Sequence, residues 1–128
     1  MAERRMFSMK IVDSDGFLDL PASAQNLYFH LNMRADDDGF VNNARMVSRI
    51  VGADASDLAL LVERGYLLPF DNGVMAVAHW HLHNQIRKDR YTPTQYREEF
   101  EELIIKPNGV YARPSGLVAA DRKSCNPV

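Results

Sequence analysis

His79, His81 and His83 stand at a spacing of two, the first grouping in this sequence with ligand chemistry. On one extended strand they would share a face, and two imidazoles with a carboxylate can hold zinc. No neighbouring motif supplies the remaining ligands, so the three read as edge or connector residues and no metal is expected. Asp36-Asp37-Asp38-Gly39 suggests a calcium loop. Aligned on Gly39, however, Arg34 and Arg45 fall on the first and last ligand positions, and both carry the wrong charge. The segment reads instead as a polar loop that offsets nearby arginines. No glycine-rich phosphate loop and no Gly-x-Ser-x-Gly motif occurs, and Cys125 has no evident base partner. These residues point to a protein that is not an enzyme and takes no cofactor.

Phosphate binding is better supplied. Residues 81–97 hold Arg87, Lys88, Arg90 and Arg97 against Asp89, a balance of +3, with Tyr91 and Tyr96 interleaved. Arg45 and Arg49 stand four apart, so on a helix both heads project from one side. Arg4, Arg5 and Lys10 add a basic N-terminus. Basic side chains with rings between them suit contact with a nucleic-acid backbone. The bland alternative is that Arg87-Lys88-Asp89-Arg90 is a solvated connector.

Elements must hold these residues in place. Ala24, Leu27, Tyr28, Leu31 and Ala35 form one helical stripe over 23–35, with Ser23 as N-cap. A second helix follows Asn42, with Met46, Val47, Ile50 and Val51 as its apolar face. A third runs from Asp54, with Asp57 at the third position and Ala55, Leu58, Leu61 and Val62 inward. Then the period falls to two. Tyr66–Phe70, the turn Asp71-Asn72-Gly73 and residues 74–80 make a hairpin. Thr92-Pro93-Thr94-Gln95 signals a fourth helix, with Tyr96, Phe100, Leu103 and Ile104 on its apolar side. Helix, helix, helix, hairpin, helix is the order of a winged helix-turn-helix with an additional C-terminal helix, mainly α with a small β-hairpin.

One observation runs against DNA reading by the third helix. Asp54, Asp57 and Glu63 outnumber Arg64 there, and phosphates repel such a surface. A helix of that sign also suits a protein partner.

The chain has 128 residues and a formal net charge of −2. That length fits one domain, expected at 1–106 with a flexible tail at 107–128. It needs no disulfide or structural metal to bury a core. No apolar run approaches a membrane span, and no apolar segment follows Met1–Arg5 as a signal peptide requires. One cysteine excludes an internal disulfide, and with the missing signal it points to the cytoplasm.

Several blocks, taken in order, resemble the N-terminal domain of phage replisome organiser proteins, related to the winged-helix part of DnaD-like primosome proteins. They are Arg4-Arg5-Met6-Phe7-Ser8, Ile11-Val12-Asp13-Ser14, Leu20-Pro21, Ser23-Ala24-Gln25, Leu27-Tyr28-Phe29-His30-Leu31, Ala35-Asp36-Asp37-Asp38-Gly39-Phe40-Val41, His79-Trp80, His83-Asn84 and Ile86-Arg87-Lys88-Asp89-Arg90-Tyr91. The resemblance covers about residues 3–105. The resemblance implies a non-enzymatic winged helix that binds origin DNA in phage replication initiation. It also implies primosome assembly with a helicase or helicase loader, and homo-oligomerisation. Beside it stand two other readings, a protein-interaction module and a transcriptional repressor. The candidate DNA-binding residues are Arg45, Arg49, Arg87, Lys88, Arg90 and Tyr91.

Overall fold

The computed structural model describes residues 4–113. Its elements are α1 (Met9–Val12), α2 (Asp15–Leu18), α3 (Ala22–Met33), β1 (Phe40–Val41), α4 (Ala44–Ile50) and α5 (Ala55–Glu63), then β2 (Leu67–Pro69), β3 (Met75–Val77), α6 (Trp80–His83), α7 (Arg97–Glu101), β4 (Ile104–Ile105) and β5 (Tyr111–Ala112). The strands form two small antiparallel sheets, three-stranded in the order β1-β3-β2 and two-stranded β4-β5. No helix among the described residues is long and apolar enough to cross a membrane.

The stripe on α3 is buried throughout, from Ala24 to Ala35 just past the helix end. The helix begins after Pro21, so Ser23 lies inside it and does not cap it. Its hydroxyl donates instead to Asp57 Oδ1 on α5, at 2.9 Å. The other oxygen, Oδ2, accepts the Asp54 N–H at 2.9 Å. One carboxylate thus closes the first turn of α5 and ties it to α3.

α4 is rotated from the expected face. It starts after Asn43, which takes a φ of 61°, and not after Asn42. Ala44, Val47 and Ser48 are buried, while Met46 is 57% and Ile50 64% exposed. Positions 44, 47, 48 and 51 are an equally regular stripe. Its small members, Ala44 and Ser48, do not announce it as large apolar residues do.

β3 is the central strand. It pairs with β2 through Leu67–Val77 and Leu68–Ala76, and with β1 through Phe40–Ala76 and Val41–Met75. The hairpin is where the Asn-Gly signal puts it, but β3 stops at Val77. The chain then turns into α6, so the three histidines do not line a strand. Alternation covers both faces of the sheet. Val41, Leu67 and Val77 join Leu27, Leu31 and Leu61 in the main core. Phe40, Val74 and Ala76 form a second cluster with Phe70, Tyr96, Phe100 and Leu103.

The fourth helix is much shorter than its signals predict. α7 spans only Arg97–Glu101. Thr92 and Thr94 do not cap it: the Asp36–Asp38 carboxylates hold their N–H groups and the Thr94 hydroxyl, which accepts the N–H of Tyr96, ahead of the helix. Ile104 and Ile105 leave the helix and pair with Ala112 and Tyr111 around the turn at 106–109. Residues 107–113 therefore pack with the domain expected to end at 106, and Tyr111 is buried. The rest of the expected tail, with Cys125, lies outside the described residues.

Candidate nucleic-acid interface

The three aspartates of the loop are a hub for distant parts of the chain. Asp36 Oδ1 accepts the N–H groups of Asp38 and Phe40, each at 3.0 Å, and its Oδ2 accepts the Thr94 hydroxyl at 2.5 Å. Asp37 accepts Arg5 Nη1 at 3.3 Å and the Thr92 N–H at 3.0 Å. Asp38 accepts the Tyr91 hydroxyl at 2.7 Å and the Thr94 N–H at 2.8 Å. The Trp80 ring N–H donates to the Asp37 carbonyl at 2.9 Å. Asp37 and Asp38 are buried, and this density of donors offsets the hydration their carboxyl groups lose.

The hub sorts the candidate residues. Arg5 leaves the basic surface altogether: it pairs with Asp37, donates to the Ala35 carbonyl and lies 5.0 Å over the Trp80 ring. Tyr91 is anchored by its hydroxyl, and burial together with Asp38 pushes its pKa up to about 12. Between Ile86 and Tyr91 the chain makes a tight turn, closed by Arg90 N–H donating to the Arg87 carbonyl at 2.9 Å. Arg87, Lys88 and Arg90 point from it into solvent. Arg87 forms an exposed ion pair with Asp89 at 3.1 Å. Lys88 and Arg90 have no acidic partner among the described residues, nor do the exposed Arg45 and Arg49 on α4. No hydrogen bond or ion pair joins the α4 arginines to the turn at 87–90 among the described residues.

The histidines are built into the frame. His83 Nδ1 accepts the Ser8 N–H at 2.9 Å, which leaves Nε2–H to donate to the Tyr28 oxygen at 2.6 Å. Burial and neighbouring His79 lower the His83 pKa to about 4. Tyr111 donates to the Asp38 carbonyl, so its oxygen accepts from His81 Nε2–H at 3.0 Å. Burial lowers the His81 pKa too, against the opposing pull of Asp38. The Asn84 side-chain carbonyl accepts the Met6 N–H at 2.8 Å. With Arg5 and His83, this straps residues 5–8 across α6. No group of three or more metal-ligating side chains converges among the described residues.

The hairpin tip carries negative charge. Asn72 donates to Glu99 on α7 at 2.8 Å, and Asp71, Glu98, Glu99 and Glu102 line a groove with Arg113. Arg113, which no local sequence pattern marks, lies over Phe70 and donates to the Pro69 carbonyl. Exposed cations stand on α4 and on the 87–90 turn, and singly at Arg4, Lys10, Arg34, Arg64, Arg97 and Lys106, while the hairpin carries none.

Comparison with protein-family models, with curated proteins and with solved structures found no match.

Proposed function

We propose that this protein is a non-enzymatic winged-helix DNA-binding module acting in phage replication initiation. The α3–β1–α4–α5–β2–β3 order and the strand order β1-β3-β2 support a winged helix, with the β2–β3 hairpin as wing. The observation that carries the DNA reading is the pinned turn. Tyr91, Thr92 and Thr94 are fastened to the acidic loop, which holds Arg87, Lys88 and Arg90 out on a fixed support. Preformed cations lose less freedom on meeting a phosphate than cations on a loose connector. The role in replication, and a helicase or loader as partner, rest on the resemblance to phage replisome organiser proteins.

The test is binding to duplex DNA across salt. Five contacts, from Arg45, Arg49, Arg87, Lys88 and Arg90, give a log–log slope of about −4.5. Alanine at 87, 88 and 90 together reduces that slope by about 2.7. No binding at low salt, or an unchanged slope in the triple variant, overturns the reading.

One observation favours a protein-interaction module instead. Arg45, Met46, Arg49 and Ile50 make an exposed face on α4, basic and apolar at once. Mass measured by light scattering over a concentration series separates the two. Salt-sensitive self-association lost on Met46→Glu supports the second reading.

A further inference from the structure

A cleft of about 490 Å³ opens beside the turn that carries Arg87, Lys88 and Arg90. Its volume lies within the range of small-molecule sites. Its walls include Trp80, His81 and Asn84 of the α6 segment, Tyr91, Phe100 of α7 and Ile105 of β4. Gln85 and Ile86 also line it, and so does Tyr91, so the chain enters and leaves the basic turn along the rim of the cleft.

Besides the exposed Gln85, two polar groups of lining residues are uncommitted. Asn84 is 95% buried (5% exposed), and its carbonyl oxygen is taken by Met6. That fixes the orientation of the amide and leaves Nδ2 without a partner among the described residues. A buried donor left unpaired is costly, and a site that expects a ligand is one place where it persists. His81 commits Nε2–H to Tyr111, so Nδ1 keeps its lone pair and finds no partner among the described residues. One unpaired donor and one free acceptor thus belong to residues that line the cleft beside rings and aliphatic carbon, with Asp37, Asp38 and Gln85 on the rest of the wall.

We propose that this cleft takes one unstacked base of single-stranded DNA, with the adjoining phosphate held by the 87–90 turn. The proposal rests on the DNA-binding reading and names the form of DNA that suits it. Each of the four bases carries both donors and acceptors for Asn84 and His81, and each has a face for Tyr91 or Phe100. The charge layout sets the direction of entry. Asp37 and Asp38 stand in the cleft wall and repel a phosphate, while Arg87, Lys88 and Arg90 lie on the exposed turn between the lining residues Ile86 and Tyr91. The base therefore goes inward and the backbone stays outside. Such a site binds without strong sequence preference.

The experiment compares three probes at one low salt concentration: a short mixed-sequence single strand, an abasic strand of the same length and charge, and the corresponding duplex. The base-bearing strand is expected to bind about tenfold more tightly than the abasic strand. In the ¹⁵N spectrum it moves the Asn84 side-chain amide signal, and the abasic strand does not. Gln85 is exposed and makes no hydrogen bond, so Gln85→Trp crowds the mouth without touching the core. It is expected to remove the preference while leaving abasic binding unchanged. Equal affinity for both single strands with a still Asn84 signal overturns the base site and leaves phosphate binding standing. Binding of no probe overturns both readings together.

Discussion

His83 holds the N-terminal strap only as a neutral ring. Its Nδ1 must keep a lone pair for the Ser8 N–H, and Nε2–H already faces Tyr28. Burial, and after it neighbouring His79, lowers its pKa from 6.5 to about 4. In the unfolded chain the same ring protonates near 6.5. Between these values the unfolded state binds more protons, so stability is complete above about 6.5 and declines as pH falls toward 4. His79 and His81 shift downward as well and act in the same direction. Melting temperature is expected to drop steadily from pH 7 to 4.5, and His83→Gln to flatten much of that slope. An equal slope in the variant would assign the effect elsewhere. Gly39 gives a second prediction at this scale. Its φ is +86°, and an added Cβ would stand 2.6 Å from a Trp80 ring carbon. Backbone strain and overpacking combine, and Gly39→Ala is expected to cost about 3 kcal/mol in urea unfolding. A loss below about 1 kcal/mol would mean that Trp80 can shift.

At the scale of elements, Asp57 joins two helices through one carboxylate. Asp57→Ala removes the bond to the Asp54 N–H and the bond from Ser23, for an expected loss of about 2 kcal/mol. Ser23→Ala removes only the second and should cost about 1 kcal/mol. The double variant is then expected to match Asp57→Ala alone, since no bond is left for the serine to lose. Additive losses would show that Ser23 acts through another partner. The same helices show what a sequence makes legible. α3, α5 and the β2–β3 hairpin were readable because large apolar residues repeat at 3.6 or two, and because Asp54, Asp57 and Asn72-Gly73 mark their ends. The buried face of α4 was not, since Ala44 and Ser48 carry no hydrophobic signal. β1 has two residues, too few for a period. The fourth helix failed for a different reason: local capping chemistry at Thr92–Gln95 lost to carboxylates some 55 residues away. The candidate site divides in the same way. Arg87, Lys88 and Arg90 were legible as a local cluster. The inward turn of Arg5 and the anchoring of Tyr91 depend on Asp37 and Asp38, and no local pattern reports such distant partners.

Over the whole molecule, the net charge of −2 conceals a division of labour. Part of the acid is internal, in the loop that gathers Arg5, Tyr91, Thr92 and Thr94. Part lies on α7 around the hairpin tip, and two groups of exposed cations stand apart from both, on α4 and on the 87–90 turn. That division depends on the C-terminal segment, because Tyr111 closes the hub from the far side. Its hydroxyl donates to the Asp38 carbonyl at 2.8 Å and accepts from His81, while its ring packs on Phe40 and Phe100. β5 also supplies the pairing that holds β4, and with it Ile105 in the cleft wall. A chain ended at residue 106 should therefore lose more than a connector. Removing a buried aromatic side chain costs about 3–5 kcal/mol, and two hydrogen bonds go with it. Compared with a chain ended at residue 113, it is expected to melt about 10 °C lower or more. Its Trp80 fluorescence should shift to the red as the cleft wall opens, and DNA affinity should fall with the support of the turn. Equal melting temperatures for the two chains would put the domain boundary at 106, and would leave the burial of Tyr111 without energetic weight.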